Sequence, residues 1–389
     1  MRQMHKPWEE YRAIYVHIPF CLQKCLYCDF ASYANCSEAL KAEYVEALCK
    51  EISQGATLPV SEKATIYFGG GTPSILSVEQ ICKIVESLKS NGYWRQPIEA
   101  TIEVNPGTVD KVKLEKFKAL GFTRISMGVQ SLNNEELKTI GRIHNAKQAL
   151  EAIKAAAAAG FKHINADVIY GLPGQSLKSL QETLTVLTAT AIDHISVYGL
   201  IVEENTPLCN LLEQGKLVLP DEDAAADMYE FVQSFLKEQG FARYEVSNYA
   251  REGKDGYSRH NDSYWHYYPY AAFGASAVAF DGKIRTTRPA EIRDYINWTN
   301  TFASDKFLEE ILGTDELLSE YMLMGLRRVE GVDLNEAKER YQVDVLEKYK
   351  NEVESFFKQR LLEYNPGTGF LCLTEKGMEL GNVVFEAFV

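Results

Sequence analysis

Between Ile14 and Ile201 the chain repeats one unit six times: a short apolar run rich in β-branched residues, then a longer stretch with helical spacing. The runs fall at 13–18, 64–69, 99–105, 124–130, 164–171 and 194–200. The helical stretches fall near 38–55, 78–90, 110–119, 134–140, 146–159 and 176–189. Near-continuous apolar strands are covered on both faces, and strand–helix alternation joins parallel strands by crossovers. The pattern predicts an α/β fold, an incomplete (β/α)6 barrel with its helices outside. Chemistry in such a fold gathers at the C-terminal ends of the strands. Gly69-Gly70-Gly71-Thr72, Glu103-Val104-Asn105-Pro106, Gln130 and Asp167 stand there.

The pattern changes after about residue 205. Helices near 221–239, 290–303 and 315–328 dominate, with one short strand at 242–247 and an aromatic-rich segment at 263–280. From about 310 the order is three helices and then a small hairpin around Asn365-Pro366-Gly367, which resembles a winged helix. With 389 residues, the chain exceeds what one compact core usually takes. The expected division is a barrel over 1–205, a distinct region over 206–305 and a mainly helical, winged-helix-like domain over 306–389. A fold of that kind does not imply DNA binding. The net charge of −13 argues against nucleic acid, because nonspecific binding needs a basic surface to displace phosphate counterions. No apolar run approaches the length of a bilayer span. The first residues, MRQMHKPWEEYRAIYVHIPF, lack a signal-peptide core. A cytoplasmic location is expected, with peripheral contact at a membrane left open.

Eight cysteines stand at 21, 25, 28, 36, 49, 82, 209 and 372. Three crowd together as Cys21-Leu-Gln-Lys-Cys25-Leu-Tyr-Cys28, directly after the first strand. The other five scatter, mostly in apolar helical contexts, and read as inert buried thiols of a reducing compartment. A CxxxCxxC loop can wrap a cubic cluster and present three thiolates to three irons. Fe–S clusters ordinarily take four cysteines, and the next obvious place holds Phe30. The fourth iron is then open to an outside chelate, as a catalytic metal keeps an open position. Zinc is the alternative, but it favours paired CxxC knuckles with four ligands, and no second pair exists here.

CxxxCxxC with Tyr27 before its third cysteine resembles the radical S-adenosylmethionine enzymes. The resemblance narrows through Tyr15-Val-His17-Ile-Pro19-Phe20-Cys21, Gly69-Gly-Gly-Thr-Pro73, Glu103-Val-Asn-Pro106, Ser126-Met-Gly-Val-Gln-Ser131, Gly141-Arg-Ile-His144 and Asp167-Val-Ile-Tyr-Gly-Leu-Pro173. These match, in order, the oxygen-independent coproporphyrinogen III oxidase family, from about Ile14 to the C-terminus. The resemblance implies a 4Fe–4S cluster on Cys21, Cys25 and Cys28. It implies S-adenosylmethionine contacts from Tyr15, Tyr27, Gly70, Gly71, Thr72, Glu103, Gln130, Arg142 and Asp167. Each type suits its place. Glycines let backbone amides approach the amino and carboxylate ends of the ligand. Thr72 serves ligand or helix cap. Glu103 accepts from an ammonium or ribose, Arg142 holds a carboxylate bidentately, and Asp167 suits ribose hydroxyls. Ile201 is a further candidate, for packing on adenine.

Two departures separate the chain from the oxidases proper. Those carry CxxxCxxCxC where this chain has Phe30, and an N-terminal extension where this chain has a short stretch before Ile14. Both resemble the shorter HemW subfamily of heme chaperones, which bears HNxxYW; here it is His260-Asn261-Asp262-Ser263-Tyr264-Trp265. Histidine is the usual axial ligand of heme iron, and Tyr264 and Trp265 offer flat faces to a macrocycle. The expected heme residues are therefore His260, Asn261, Tyr264 and Trp265, with His266 competing as ligand. The alternative is core packing of the second domain. The implied function is heme binding and delivery to respiratory or membrane hemoproteins, with the cluster and its cofactor serving dimerisation, gating or reductive release of heme. Coproporphyrinogen III oxidation, in which the cluster's electron yields a 5′-deoxyadenosyl radical that abstracts hydrogen from a propionate, is the alternative and is not expected. A radical methyltransferase or an anaerobic heme-opening enzyme is a third reading.

Overall fold

The computed structural model describes residues 6–302 and 308–389. The expected junction at 305/306 and the end of the expected helix at 303 lie outside them. The first six sheet strands are β1 (Tyr11–Ile18), β2 (Val60–Gly70), β3 (Glu99–Val104), β4 (Arg124–Gln130), β5 (His163–Tyr170) and β6 (His194–Gly199). Helices α1 (Glu38–Ile52), α2 (Val78–Ser90), α3 (Lys111–Leu120), α4 (Asn134–Thr139), α5 (Ala146–Ala158) and α6 (Leu177–Thr188) connect them. The connections are locally specified. Ser77 with Gln80 and Asn145 with Gln148 form capping boxes at α2 and α5. Gly121 ends α3 in the left-handed conformation.

All six strands pair in parallel, in chain order. Their side chains alternate. Ile14, Val16, Ile66, Phe68, Ile102, Met127, Ala166 and Val197 point outward into one core with Leu48, Ile81, Leu114, Ile153 and Leu184 of the helices. The inward face carries Tyr67, Thr101, Glu103, Ser126, Asp167 and Ser196, which line cavities. Apolar cover on one side and polar groups on the other position a site inside the sheet's curvature.

The sheet does not stop at β6. Six further strands follow: β7 (Phe241–Arg243), β8 (Asn248–Arg251), β9 (Tyr270–Phe273), β10 (Val278–Phe280), β11 (Ile284–Thr287) and β12 (Leu308–Ile311). The complete order is β12-β11-β10-β9-β1-β2-β3-β4-β5-β6-β8-β7, an open twelve-stranded mixed sheet. The single strand expected at 242–247 is thus two antiparallel strands, and the aromatic segment contributes β9, which lies parallel to β1. The division at 205/206 is no break in the sheet. Beyond the sheet, helices Thr314–Gly325, Leu334–Tyr341, Val345–Lys348 and Lys350–Gln359 precede the hairpin Leu362–Asn365/Phe370–Leu373, whose second strand also pairs with Val332–Asp333. This is the helical, winged domain, with its own core around Leu318, Met322, Phe356 and Leu371. Among the described residues no helix is long and apolar enough to cross a membrane.

Candidate cluster and cofactor site

The cysteine loop is tied at its ends and its middle. Phe20 and Cys21 pair in parallel with Tyr33 and Ala34. His17 Nε2 pairs with the Ala31 carbonyl at 3.0 Å, and the Tyr33 amide donates to the Pro19 carbonyl at 2.7 Å. Midway, the Leu26 amide donates to Ile140 O at 3.0 Å. The Leu26 carbonyl accepts from Leu208 in the short helix α7 (Pro207–Glu213) at 2.9 Å. Cys21, Cys25 and Cys28 are free thiols, half-buried, and line one cavity of about 140 Å³. Burial pushes the Cys21 and Cys28 thiols above their ordinary range, so the protein alone keeps them protonated and a bound metal must displace the protons. Phe30 is 65% exposed at the rim.

Of the nine residues expected to hold the cofactor, Tyr27, Gly70, Gly71, Thr72, Glu103, Gln130, Arg142 and Asp167 line this same cavity. Tyr15 does not. It sits a layer below, its hydroxyl 3.0 Å from His17 Nδ1. The Gly70-Gly71-Thr72 turn departs from the expectation of free amides. The Gly71 amide donates to Ile18 O at 2.9 Å and the Thr72 amide to Phe20 O at 2.7 Å, while the Gly70 amide serves the Glu103 carboxylate. The glycines answer to packing instead. Gly70 has φ +105°, and a Cβ there would lie 2.5 Å from the His17 ring; at Gly71 it would lie 2.7 Å from Phe20 O. Gly70→Ala is therefore expected to displace the His17 ring and the loop exit it ties. Iron retained after reconstitution should fall by more than half, measured per folded chain.

Thr72 caps nothing with its side chain. Its hydroxyl accepts from Asn105 Nδ2 at 2.8 Å and lies 3.7 Å from Cys21 Sγ. Arg142 is also not the open fork expected. Nη1 donates to Cys25 Sγ at 3.3 Å, and Nη2 donates to Asn105 Oδ1 at 2.8 Å and to the Gly128 carbonyl. Only its buried Nε lacks a partner, so the guanidinium places a positive charge beside a cluster sulfur and keeps one donor. Glu103 accepts from the Tyr67 hydroxyl at 2.7 Å. Burial pushes its carboxyl up to about 8. Burial also raises Asp167, which accepts from Asn165 at 2.7 Å and from Ser126 at 3.4 Å. Gln130 holds a left-handed φ of +67° where the β4–β5 register shifts, a backbone irregularity of the kind that aims side chains into sites.

Asn105, Ser126, Gly128 and Tyr67 belong to this machinery and were not among the expected contacts. Asn105 follows Glu103 by two, the strand period that puts both on one face. Gly128 leaves room for Asn105 and Arg142, whose atoms would stand 3.0 and 3.1 Å from a Cβ there.

The heme-side residues do not assemble around an open coordination position. His260-Asn261-Asp262-Ser263-Tyr264-Trp265 lies in helix α9 (Arg259–Trp265) after α8 (Glu222–Glu238). His260 is 1% exposed. Its Nδ1 pairs with Thr65 Oγ1 at 2.8 Å and its Nε2 with the Tyr264 hydroxyl at 2.9 Å, and burial pushes its pKa down to about 3. As folded, both ring nitrogens are paired within the protein. Asn261 lines a cavity of about 30 Å³ with Asp167 and Ser126. Trp265 faces the other way, under the Arg327 guanidinium at 4.9 Å, in a separate cavity with His266 and Arg328. His266 Nδ1 is 3.2 Å from Arg328 Nη1.

The cavity fits the implied cofactors. Three free thiols line it, although among the described residues no three His, Cys, Asp or Glu are grouped as they stand to hold a metal ion. Acceptors for an ammonium and the Arg142 guanidinium stand beside them. Six parallel β/α units within a mixed sheet, with this loop directly after the first strand, define a radical S-adenosylmethionine protein. The profile described as Radical SAM superfamily matches residues 15–187, and HemN C-terminal domain matches 312–380. The chain is 34% identical to the heme chaperone HemW of Lactococcus lactis over 375 residues, 96% of each chain. It is 34% identical to that of Bacillus subtilis over 380 residues, 97% of this chain and 99% of the other. It belongs to the HemW family. A further relative is the zebrafish (Danio rerio) protein named radical S-adenosyl methionine domain-containing protein 1, mitochondrial, 33% identical and covering 94% of this chain and 82% of that one. The structure superposes on Escherichia coli coproporphyrinogen III oxidase, HemN, with a TM-score of 0.83 at 23% identity, over 98% of this chain and 91% of that one. At that identity the likeness establishes the fold. The family implies a 4Fe–4S cluster and S-adenosylmethionine.

Proposed function

We propose that the protein is a heme chaperone whose Cys21, Cys25 and Cys28 carry a 4Fe–4S cluster chelated by S-adenosylmethionine. The observation that carries the reading is the near full-length likeness to two curated heme chaperones. The geometry supports the cofactor half residue by residue. Glu103 and Thr72 offer acceptors to the ammonium end, Arg142 Nε offers a donor to the carboxylate end, and Asp167 and Gln130 lie where ribose hydroxyls would reach them. Tyr27, Gly70 and Gly71 shape the walls, and Tyr15 supports them from below. When bound, the cluster supplies one electron at the sulfonium. Heme, handed to respiratory hemoproteins at the inner face of a membrane, is the cargo in this reading, and dimerisation is part of it. His260 would serve as heme ligand only after releasing Thr65 and Tyr264. Asn261, Tyr264 and Trp265 would then flank the macrocycle.

Anaerobically reconstituted protein should bind one heme with a Soret shift and leave coproporphyrinogen III unconverted. Turnover of coproporphyrinogen, or the absence of any Soret change, overturns the chaperone reading.

The raised Glu103 pKa sets a pH dependence. Below about pH 8 the free carboxyl is protonated, and binding an ammonium beside it expels that proton. Affinity for S-adenosylmethionine should therefore rise, by up to about tenfold per unit, as pH climbs toward 8. It should fall above that, as the ligand's own α-amino group deprotonates near 8. Calorimetry between pH 6.5 and 9 should show this maximum. Glu103→Gln should flatten its acid limb.

A further inference from the structure

Tyr67 joins two groups that the sequence assigns to different ligands. Its hydroxyl donates to Glu103 Oε1 at 2.7 Å. Its ring lies on the His260 imidazole, with centroids 4.9 Å apart and planes 28° apart. The imidazole is fixed on every side that could move it. Thr65 holds Nδ1, Tyr264 holds Nε2, and the His260 amide donates to Glu99 Oε1 at 3.0 Å. Tyr264 packs edge-on against Tyr270 at 4.7 Å. Thr65, Tyr67 and Gly69 alternate along β2 and share its inward face. Gly69 keeps the top clear: a Cβ there would lie 2.8 Å from Tyr67 Cε1 and 3.1 Å from Glu103 Oε1. A column of contacts therefore runs Thr65–His260–Tyr67–Glu103, from the floor of the sheet's interior to the cysteine-lined cavity.

We propose that His260 is a positioning residue of the cofactor site: it braces the Tyr67 ring, and Tyr67 holds the Glu103 carboxylate where the ammonium end of S-adenosylmethionine binds. Helix α9 is then the floor of that site. This rests on the assignment of Glu103 to the cofactor made above. The charged and titratable groups around the column are Glu99 and Arg124 at its foot, Tyr264 on His260, and Tyr15, Asp167 and Tyr198 beside Tyr67 and Glu103. Histidine suits the post because a neutral ring can stack flat on a phenol and still pair at both edges. Phenylalanine would stack but leave the Tyr264 hydroxyl buried without a partner and Thr65 with only the Arg12 carbonyl, at a cost.

The test uses the anaerobically reconstituted full-length chain. S-adenosylmethionine affinity is measured by equilibrium dialysis from pH 6.5 to 8.5 for wild type, His260→Ala, Thr65→Val, Tyr67→Phe, the His260→Ala/Tyr67→Phe double variant and Glu103→Gln, with heme titrated into each. His260→Ala should weaken cofactor binding about tenfold, and Thr65→Val, which removes the hydroxyl's bonds to His260 and the Arg12 carbonyl at constant shape, about threefold. Both should move the acid limb of the pH profile upward, as Tyr67→Phe does, because the Tyr67 hydroxyl lowers the Glu103 pKa. The double variant should bind no more weakly than Tyr67→Phe alone. Heme affinity should change less than twofold in Thr65→Val, Tyr67→Phe and Glu103→Gln. Additive effects of His260 and Tyr67, or cofactor binding that is unchanged in both His260→Ala and Thr65→Val, overturn the proposal. So does a lost Soret shift in His260→Ala with cofactor binding intact, which would return His260 to the heme. If Glu103→Gln binds like wild type with the same pH profile, the Glu103 assignment itself fails, and the inference falls with it by a distinguishable route.

Discussion

Cys25→Ala is expected to yield a folded chain that holds no iron–sulfur cluster. Reconstituted wild type should carry about four irons per chain, and the variant well under one. The reason is arithmetic in the proposed ligand set: Cys21, Cys25 and Cys28 would hold the cluster with S-adenosylmethionine, and no thiolate would be spare. The nearest other cysteine, Cys36, turns its thiol to the Tyr33 and Ala34 carbonyls at 3.8 and 3.9 Å, so Cys36→Ser should keep its iron. The fold should survive because the loop is anchored through backbone. The bonds from Leu26 to Ile140, Leu208 to Leu26 and Tyr33 to Pro19 use no cysteine sulfur. The Cys25 Sγ accepts from Arg142, which retains Asn105 and the Gly128 carbonyl after the change. Iron and sulfide analysis beside far-ultraviolet circular dichroism checks both halves. A variant with full iron content removes Cys25 from the cluster, and loss of iron in Cys36→Ser makes that residue a fourth ligand.

How far the sequence revealed this site depends on the range of the information each part needs. The six β/α units were legible because each strand and each helix carries its own period, and the caps at Ser77 and Asn145 are local. The sheet's extension was not. Tyr270-Ala-Ala-Phe273 is too short to declare itself a strand, and its partner β1 lies more than 250 residues earlier in the chain. The same limit divides the site. Strand-end position identified Glu103, Gln130 and Asp167 as neighbours and the family resemblance added Arg142, and all four line one cavity. What each side chain has left to offer was invisible. The Arg142 fork is engaged by Asn105 and Gly128, and the amides of the glycine turn by Ile18 and Phe20, all contacts across the fold. His260 shows this most clearly. The sequence places it among aromatics but does not reveal Thr65, 195 residues away, on its Nδ1.

Arg124→Met is expected to be the most destabilising single change in the floor of the site. Arg124 is 2% exposed, and its Nε donates to Glu99 Oε2 at 2.9 Å. Its Nη2 donates to the Gly256 and Tyr257 carbonyls at 2.6 Å each. Glu99 in turn accepts the amides of Arg259 and His260, at 3.1 and 3.0 Å, and so grips the first turn of α9. Methionine fills much of the volume but leaves a buried carboxylate without its countercharge and two carbonyls without donors. Breaking a buried pair in this way costs about 3–5 kcal/mol. The loss should be concentrated where the pair acts. Hydrogen exchange of the α9 amides should accelerate more than that of β1 or β2, neither of which pairs with Arg124. Replacing both partners, as Glu99→Leu/Arg124→Met, removes the uncompensated charge and should recover part of the loss, since apolar substitutes for a buried pair are often tolerated. It should not restore protection in α9, because the two amides that Glu99 accepted are then unpaired. An Arg124→Met chain that melts within about 1 kcal/mol of wild type, with α9 protection intact, would show that the floor is held by packing rather than by this ion pair. Full recovery of α9 protection in the double variant would show the same for the grip of Glu99 on the helix.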